Sequence, residues 1–385
     1  MNDWANRTLG EVSDVIAGQS PEGSFYNSEG VGLPFYQGKK DFGDRYIGSP
    51  TVWTSVTTKT AFVGDILMSV RAPVGPINFA TQTACIGRGL AAIRAKALLN
   101  RQFLFYFLLS KQSEIAGREG AVFASISKGD IQKIRVPLPS LKEQERIVAI
   151  LDEAFEGVAT AKANAEKKLG KVREVLDSKM DLLFSNPGDD WKPMTLAEVS
   201  SDYGRGKSKH RPRNDPRLYG GPYPFVQTGD IRNAEQFITT YLQTYNEKGL
   251  VQSKLWPKGT LCITIAANIA ETAILDFDAC FPDSVIGVVA DPKKANTRFI
   301  EYQLRVAKAQ LQAKGKGSAQ DNINLGTFKT HTFFFPSPRT QEKIVERLDS
   351  IALIAALLIE VIEQKVVLLD ELKQSLLHQA FTGKL

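Results

Sequence analysis

The residue pattern with the clearest chemistry in this chain is a loop dense in cations. Residues 203–217, Tyr-Gly-Arg-Gly-Lys-Ser-Lys-His-Arg-Pro-Arg-Asn-Asp-Pro-Arg, hold six Lys/Arg and one His against a single Asp. Gly204, Gly206 and Pro212 exclude a regular helix, so the charges fall on a loop. Lysine and arginine displace condensed counterions at phosphates, and a guanidinium fork matches the O6/N7 edge of guanine. Arg205, Lys207, Lys209, Arg211 and Arg213 are therefore candidate contacts to duplex DNA, against the alternative of a solvated surface loop. A second candidate is 314–322, where Lys314 and Lys316 alternate with glycines that let backbone amides approach a phosphate, and Gln320 could read adenine. The first part of the chain offers Lys39, Lys40, Arg45, Arg71, Arg88 and Arg118, most of them beside turn glycines. Tyr26, Tyr36 and Trp53 could stack on bases, although core packing is the expectation for at least two of them.

Catalytic chemistry has no comparable pattern. His210, His331 and His378 are scattered, without a second ligand at metal spacing. There is no Asp/Asn-Pro-Pro-Tyr/Phe run for an amino methyltransferase, no G-x-G-x-x-G and no P-loop. The expectation is a binding protein with no catalytic residue, no metal site and no cofactor of its own. Cys85, Cys262 and Cys280 lie in apolar segments with no C-x-x-C, which predicts buried reduced thiols in a cytoplasmic protein. No secretory leader pattern opens the sequence, and the apolar run 351–359 is too short to span a membrane.

The elements that position these residues come from a duplication. Pro139-Ser140-x3-Gln144-Glu145-x-Ile147-Val148-x2-Leu151-Asp152 returns 197 residues later as Pro336-Ser337-x3-Gln341-Glu342-x-Ile344-Val345-x2-Leu348-Asp349, and 139–184 matches 336–381 at 14 of 46 positions. Thr8-Leu9-x-Glu11-Val12 returns as Thr195-Leu196-x-Glu198-Val199, and Asn100-x2-Phe103-x2-Tyr106 as Asn296-x2-Phe299-x2-Tyr302. The offset grows from 187 to 196 between these landmarks, so the second head carries extra residues, and the basic loop lies among them. That location favours nucleic acid as its partner. With 385 residues, 43% hydrophobic, each head can bury a core. The net charge of +6 and pI near 9.0 lean toward a polyanionic partner.

The division is a first head at 1–139, a helix at 140–187, a second head at 188–336 and a helix at 337–385. The heads read as strand-rich, with β-type runs at 61–70 and 89–93 and one helix at 101–116. Ser140-x-x-Glu143 is a capping box, and Ser337-Pro338 puts a cap before a first-turn proline. Apolar residues then recur every three or four at Ile147, Leu151, Ala154, Val158, Ala161, Ala165, Leu169, Val172, Leu176, Met180 and Leu183. The second copy gives Ile344, Leu348, Ile351, Ala355, Leu358, Ile362, Val366, Leu369, Leu377 and Ala380, with a break at Lys373. Two such seams predict an antiparallel coiled coil of helices roughly 65 Å long. The wider stripe of Leu353, Ile354, Leu357, Val361 and Leu368 predicts further helices from a partner. The fold class is thus α+β: two similar mixed α/β heads joined by two long packed helices.

The duplicated helix starts, the terminal Ala380-Phe381-Thr382-Gly383-Lys384-Leu385, the segment Gly64-Asp65-Ile66-Leu67-Met68-Ser69-Val70-Arg71 and Gly317-Ser318-Ala319-Gln320 resemble the specificity subunit of bacterial type I restriction-modification enzymes. The resemblance implies two target-recognition domains that read the halves of a split sequence in double-stranded DNA, with the helices setting the unread spacer. It further implies two methyltransferase subunits that methylate adenine N6 with S-adenosylmethionine, restriction subunits that translocate and cut, and no catalysis by the chain itself. The competing reading is a coiled-coil adaptor whose heads bind proteins.

Overall fold

The two long helices begin where the sequence places them. A computed structural model describes residues 4–116, 125–210, 212–266, 269–316, 323 and 325–385, apart from the side chains of 314–316 and 329. Within these, a central helix spans Leu141–Ser185 and a C-terminal helix Pro338–Thr382. The chain forms two compact units: Met1–Glu166 with Glu363–Leu385, and Lys167–Ile362. Each long helix therefore gives one half to each unit.

In the first unit a four-stranded antiparallel sheet runs in the order Ser13–Ala17, Leu90–Ala95, Ile66–Ser69, Ile77–Phe79. A second sheet contains Leu33–Tyr36 paired in parallel with Ala84–Ile86, Phe35 opposite Cys85. The second unit repeats the plan. Ser200–Arg205, Val285–Ala290, Leu261–Thr264, Thr272–Leu275 and Phe237–Ile238 form one sheet, and in the other Tyr219–Phe225 pairs in parallel with Ala279–Cys280, Phe225 opposite Cys280. All three cysteines are buried and free. Burial pushes the Cys262 and Cys280 thiols upward, away from the reactive thiolate.

The glutamines that recur at the two helix starts are fully buried, and each makes the same three hydrogen bonds. Gln144 Oε1 accepts from the Asn100 amide at 2.7 Å, while Nε2 donates to the carbonyls of Leu98 and Pro139, both at 3.0 Å. Gln341 Oε1 accepts from the Asn296 amide, and Nε2 donates to Lys294 and Pro336, all at 2.9 Å. One side chain thus ties the first turn of the long helix to the loop before the head's own helix, Arg101–Ser110 in the first unit and Thr297–Lys316 in the second. Eight residues on, Asp152 and Asp349 accept from the phenols of Tyr106 at 2.5 Å and Tyr302 at 2.6 Å.

The far end of each helix closes the other head. In the first unit Phe381 packs edge-on against Phe103 and Phe107, at 5.2 and 5.4 Å, beside Ile147, Val148 and Leu151. In the second, Phe184 meets Phe299 at 5.4 Å, beside Val345 and Leu348. In the first unit Arg146 donates to the Leu385 carbonyl and Lys162 pairs with Asp370, so the helix halves run antiparallel. Gly383 in the left-handed conformation (φ +71°) ends the C-terminal helix, with the Lys384 amide returning to the Gln379 carbonyl.

Several local expectations need correction. The run 61–70 is two strands, Thr60–Ala61 and Ile66–Ser69, separated by a turn at Gly64 (φ +84°) in which Asp65 accepts from the Phe62 amide and from Nε and Nη2 of Arg94. The helix at 101–116 divides at Lys111 into Arg101–Ser110 and Gln112–Ala116. Glu143 does not complete a capping box: Ser140 Oγ accepts the Glu143 amide at 3.3 Å, but the carboxylate is taken by Arg146 at 2.8 Å on both oxygens. Leu358 is 47% exposed, and Ile359 takes its place in the seam, keeping the four-three rhythm Ala355, Ile359, Ile362, Val366, Leu369, Lys373. Lys373 does not break the seam, because its stem stays half-buried there and its ammonium lies 4.9 Å from the Phe155 ring centre.

Replacing Gln144 by Leu keeps the volume but strands the Asn100 amide and two carbonyls. The expected loss of stability is about 1–3 kcal/mol for the unpaired amide, with the carbonyls adding to it. Urea unfolding of the whole chain checks this, and Gln341→Leu is expected to behave alike in the second unit.

Candidate nucleic-acid interface

Three loops meet in the same way in each unit. In the first, the chain leaves Ser13–Ala17 through Gly18, leaves Leu33–Tyr36 through Gln37, and turns at Gly87-Arg88-Gly89 between Ala84–Ile86 and Leu90–Ala95. A Cβ on Gly18 would lie 2.2 Å from the Gly87 carbonyl, so only glycine permits this crossing. The second unit passes through Gly206, Gln227 and the turn Pro282-Asp283-Ser284, and a Cβ on Gly206 would lie 2.2 Å from the Phe281 carbonyl. The amides of Gly18 and Gly206 donate to the matched carbonyls of Leu90 and Val285, both at 2.9 Å.

Each junction encloses a cleft. The first, about 560 Å³, is lined by Ser20, Glu22, Gln37, Lys39, Arg71 and Arg88 among others. Lys39, Arg71 and Arg88 are exposed and have no carboxylate partner among the described residues. Three cations thus face Glu22 as the one acidic lining residue. The second cleft, about 410 Å³, is lined by Ser208, Arg213, Tyr219, Gln227, Gln243 and Tyr245 among others. Burial pushes the Tyr245 phenol up to about 12, so the ring remains neutral at physiological pH. Gln227 Nε2 donates to Gln243 Oε1 at 2.8 Å. Arg213 Nη2 donates to both carboxylate oxygens of Asp283, at 2.7 and 3.0 Å, and Arg205 Nε donates to the Asp283 carbonyl at 2.6 Å.

The remaining sequence candidates fall elsewhere. Arg45 is spent on packing: it pairs with Asp152 at 2.8 Å and lies 5.3–5.9 Å from the ring centres of Tyr106, Phe105 and Phe79. Lys40 sits beside Asp41, outside the cleft lining. Lys207 and Lys209 are exposed on the loop, and the Lys207 carbonyl accepts from Ser253. Next to them Asp215 accepts from Arg217 and from His210, and these bonds, Arg217 foremost, hold its carboxyl far below the usual range. Arg118, Arg211 and Gln320 lie outside the described residues, as do the side chains of Lys314 and Lys316. The backbone at 314–316 is the last turn of Thr297–Lys316, which corrects the expectation of a loop there. Tyr36 is buried and Tyr26 stacks on Phe35 at 4.7 Å, so both serve packing.

Among the described residues no cluster of three His, Cys, Asp or Glu side chains could hold a metal, and no helix is long and apolar enough to cross a membrane. The arrangement offers cations, amides and aromatic edges to a ligand. Sequence reasoning overlooked Gln37, Gln227 and the equivalence of positions 88 and 283 in the two copies. The signal was there in Pro34-Phe35-x-Gln37 against Pro224-Phe225-x-Gln227, and in the three-residue step from each cysteine, Cys85 to Arg88 and Cys280 to Asp283.

Comparison with known proteins agrees with this duplicated plan. A Methanocaldococcus jannaschii protein described as the specificity subunit of the MjaX type I restriction enzyme is 41% identical over 182 residues, 45% of this chain and 42% of that one. The StySPI specificity subunit of Salmonella potsdam is 23% identical over 323 residues, 78% of this chain and 68% of its own. The chain thus spans about two fifths of the first relative and two thirds of the second. A chain from a solved structure of a type I R-M system, 19% identical, superposes with a TM-score of 0.83 over 99% of this chain and 98% of that chain, which shows a shared fold. Residues 1–169 and 188–366, covering both heads and most of both long helices, match the type I restriction modification DNA specificity domain, and the chain belongs to that family.

Proposed function

We propose that this chain is the non-catalytic DNA-reading subunit of a type I restriction-modification enzyme, each unit taking one half of a split target in duplex DNA. The observation that carries this reading is the pair of clefts built on one plan but lined by different side chains, which suits a protein that reads two different sequences in the same manner. In the first, three cations without carboxylate partners among the described residues can neutralise phosphates. In the second, arginine, amides and tyrosines can meet base edges. Methyl transfer to adenine N6 from S-adenosylmethionine belongs to two partner methyltransferase subunits, and restriction subunits join that assembly.

The exposed apolar stripe on the C-terminal helix supports a helical partner. Leu353, Ile354, Leu357 and Val361 are 54–62% exposed in the second unit, and Val367, Leu368 and Leu372 are 47–62% exposed in the first. So many large apolar side chains in one stripe mark an interaction surface. Leu353→Lys with Leu357→Lys is expected to abolish capture of the methyltransferase subunit in co-purification, with the chain's own melting temperature unchanged.

Lys39, Arg71 and Arg88 replaced together by Ala are expected to weaken duplex binding and flatten its salt dependence. The change is roughly 0.9 of a unit in log–log slope for each side chain that sits on a phosphate. Arg45→Ala is expected to leave that slope unchanged and lower the unfolding midpoint instead. Titrations across 50–200 mM salt separate the two.

The helix halves meet at 166/167 and 362/363, where one unit gives way to the other. Four residues inserted after Ala165 and after Ile362 add about 6 Å to each helix, close to one turn, so the seam keeps its face. At about 3.4 Å per base pair, the preferred spacer is expected to lengthen by about one to two base pairs with both half-sequences unchanged. Mapping methylated sites across a genome checks this, and a parental spacer in a folded variant removes the helices as ruler.

A further inference from the structure

The central helix carries a second stripe besides its seam. Within the second unit Leu169, Val172, Leu176, Met180 and Leu183 are buried or half-buried, while Lys168, Lys171, Val175, Lys179 and Leu182 recur at the same steps of three and four and are all exposed. At 3.6 residues per turn this stripe lies about 100° around the helix from the seam. Its lysines have no ion pair among the described residues, and Glu174 is the sole carboxylate three or four positions from any of them. The helix itself therefore offers them little neutralisation. The C-terminal helix differs in kind on the matched face: the 197-residue offset puts Leu368 and Leu372 of its apolar stripe where the central helix has Lys171 and Val175.

In the second unit the two helix halves run antiparallel, since the end of one, at Phe184, and the start of the other, at Gln341, both meet residues 296–299. Leu353, Ile354, Leu357 and Val361 are turned about 145° from their own seam, in the same rotational sense as the lysine stripe. Antiparallel helices whose stripes are turned in the same sense present them on the same side. We infer that Lys168, Lys171 and Lys179 form the charged margin of the docking surface in the second unit, and that its occupant is an amphipathic helix, apolar along its centre and acidic along the edge that faces the central helix. This inference rests on the helical protein partner proposed above and names the chemistry that partner carries. Charge complementarity requires the acidic edge. Val175, between the lysines, and Leu182, beyond them, are 55% and 63% exposed, and they favour protein over duplex. Against a helix such side chains leave water, whereas a phosphate backbone gives them nothing apolar to pack on. The lysine stems extend that apolar area while their ammonium groups reach the acidic edge.

The test measures the affinity of the full chain for the methyltransferase subunit across about 50–300 mM salt. The unaltered chain is expected to bind more weakly as salt rises, because exposed pairs are screened. Lys168→Gln, Lys171→Gln and Lys179→Gln together are expected to lower affinity roughly 3- to 100-fold at low salt and to flatten the salt dependence, with the chain's melting temperature unchanged. Arg at the same three positions is expected to restore both affinity and salt dependence. A Gln variant with undiminished affinity and unaltered salt dependence overturns the inference, and so does an Arg variant that binds no better than the Gln variant. A Gln variant that keeps its affinity for the subunit but loses roughly 0.9 of a unit per lysine from the log–log salt slope of duplex binding assigns the stripe to DNA and overturns it as well. Capture that survives Leu353→Lys with Leu357→Lys removes the methyltransferase subunit as the partner on this face, a result distinguishable from the others because it leaves every lysine in place.

Discussion

A long helix cannot leave a small head at a fixed angle unless its first turn is fastened, and here the fastening is one buried glutamine in each unit. Gln144 and Gln341 are inaccessible to solvent, and each satisfies one amide and two carbonyls of the loops it touches. A buried amide side chain is tolerated only when its donors and acceptors are paired, so the geometry around it is nearly fixed. Everything downstream inherits that geometry. The seam residues follow at three- and four-residue steps, the aspartates at 152 and 349 reach the tyrosines of the head, and the far ends of the helices arrive at the opposite heads as Phe184 and Phe381.

The Tyr–Asp pairs show what duplication preserved and what it left open. Both tyrosines have phenol pKa values raised by burial, and both donate to the aspartate. Each aspartate also needs a cation. In the first unit Arg45 supplies it from a loop between strands, while in the second Arg298 supplies it from the helix that carries Tyr302, a position that holds Gln102 in the first unit. The arginine of the second unit also closes on Glu301, which is wholly buried between Arg298 and Arg305 and whose carboxyl is pushed up by that burial. The node keeps its charges while their source moves.

Much of this was legible in the sequence where periodicity or exact recurrence carried it. The helix starts, the exposed apolar stripe and nearly every seam residue follow from repeated spacing, because helical packing obeys a local period. Leu358 failed because two adjacent apolar residues both fit a run of threes and fours, and only the partner helix selects Ile359. Glu143 failed because a nearby arginine competes for the carboxylate that a capping box requires. Cations were the least legible residues, since charge alone does not distinguish Arg45, held over three rings, from Arg71 and Arg88, open to the cleft. That difference depends on contacts 107 residues apart in the chain.

The same reasoning explains why the clefts can diverge without cost to the scaffold. The glycines at 18 and 206 and the paired strands fix the backbone of each junction, while side chains on the turns point into solvent and carry little of the core's stability. An arginine replaced by an aspartate at the centre of such a turn changes the local charge by two and would repel a polyanion if left alone. In the second unit it does not stand alone, because Arg205 and Arg213 both close on Asp283 and restore a positive edge. Compensation at the surface therefore mirrors compensation in the Tyr–Asp node: the sign of the charge at a site is maintained, and the residue that supplies it is free to come from another loop.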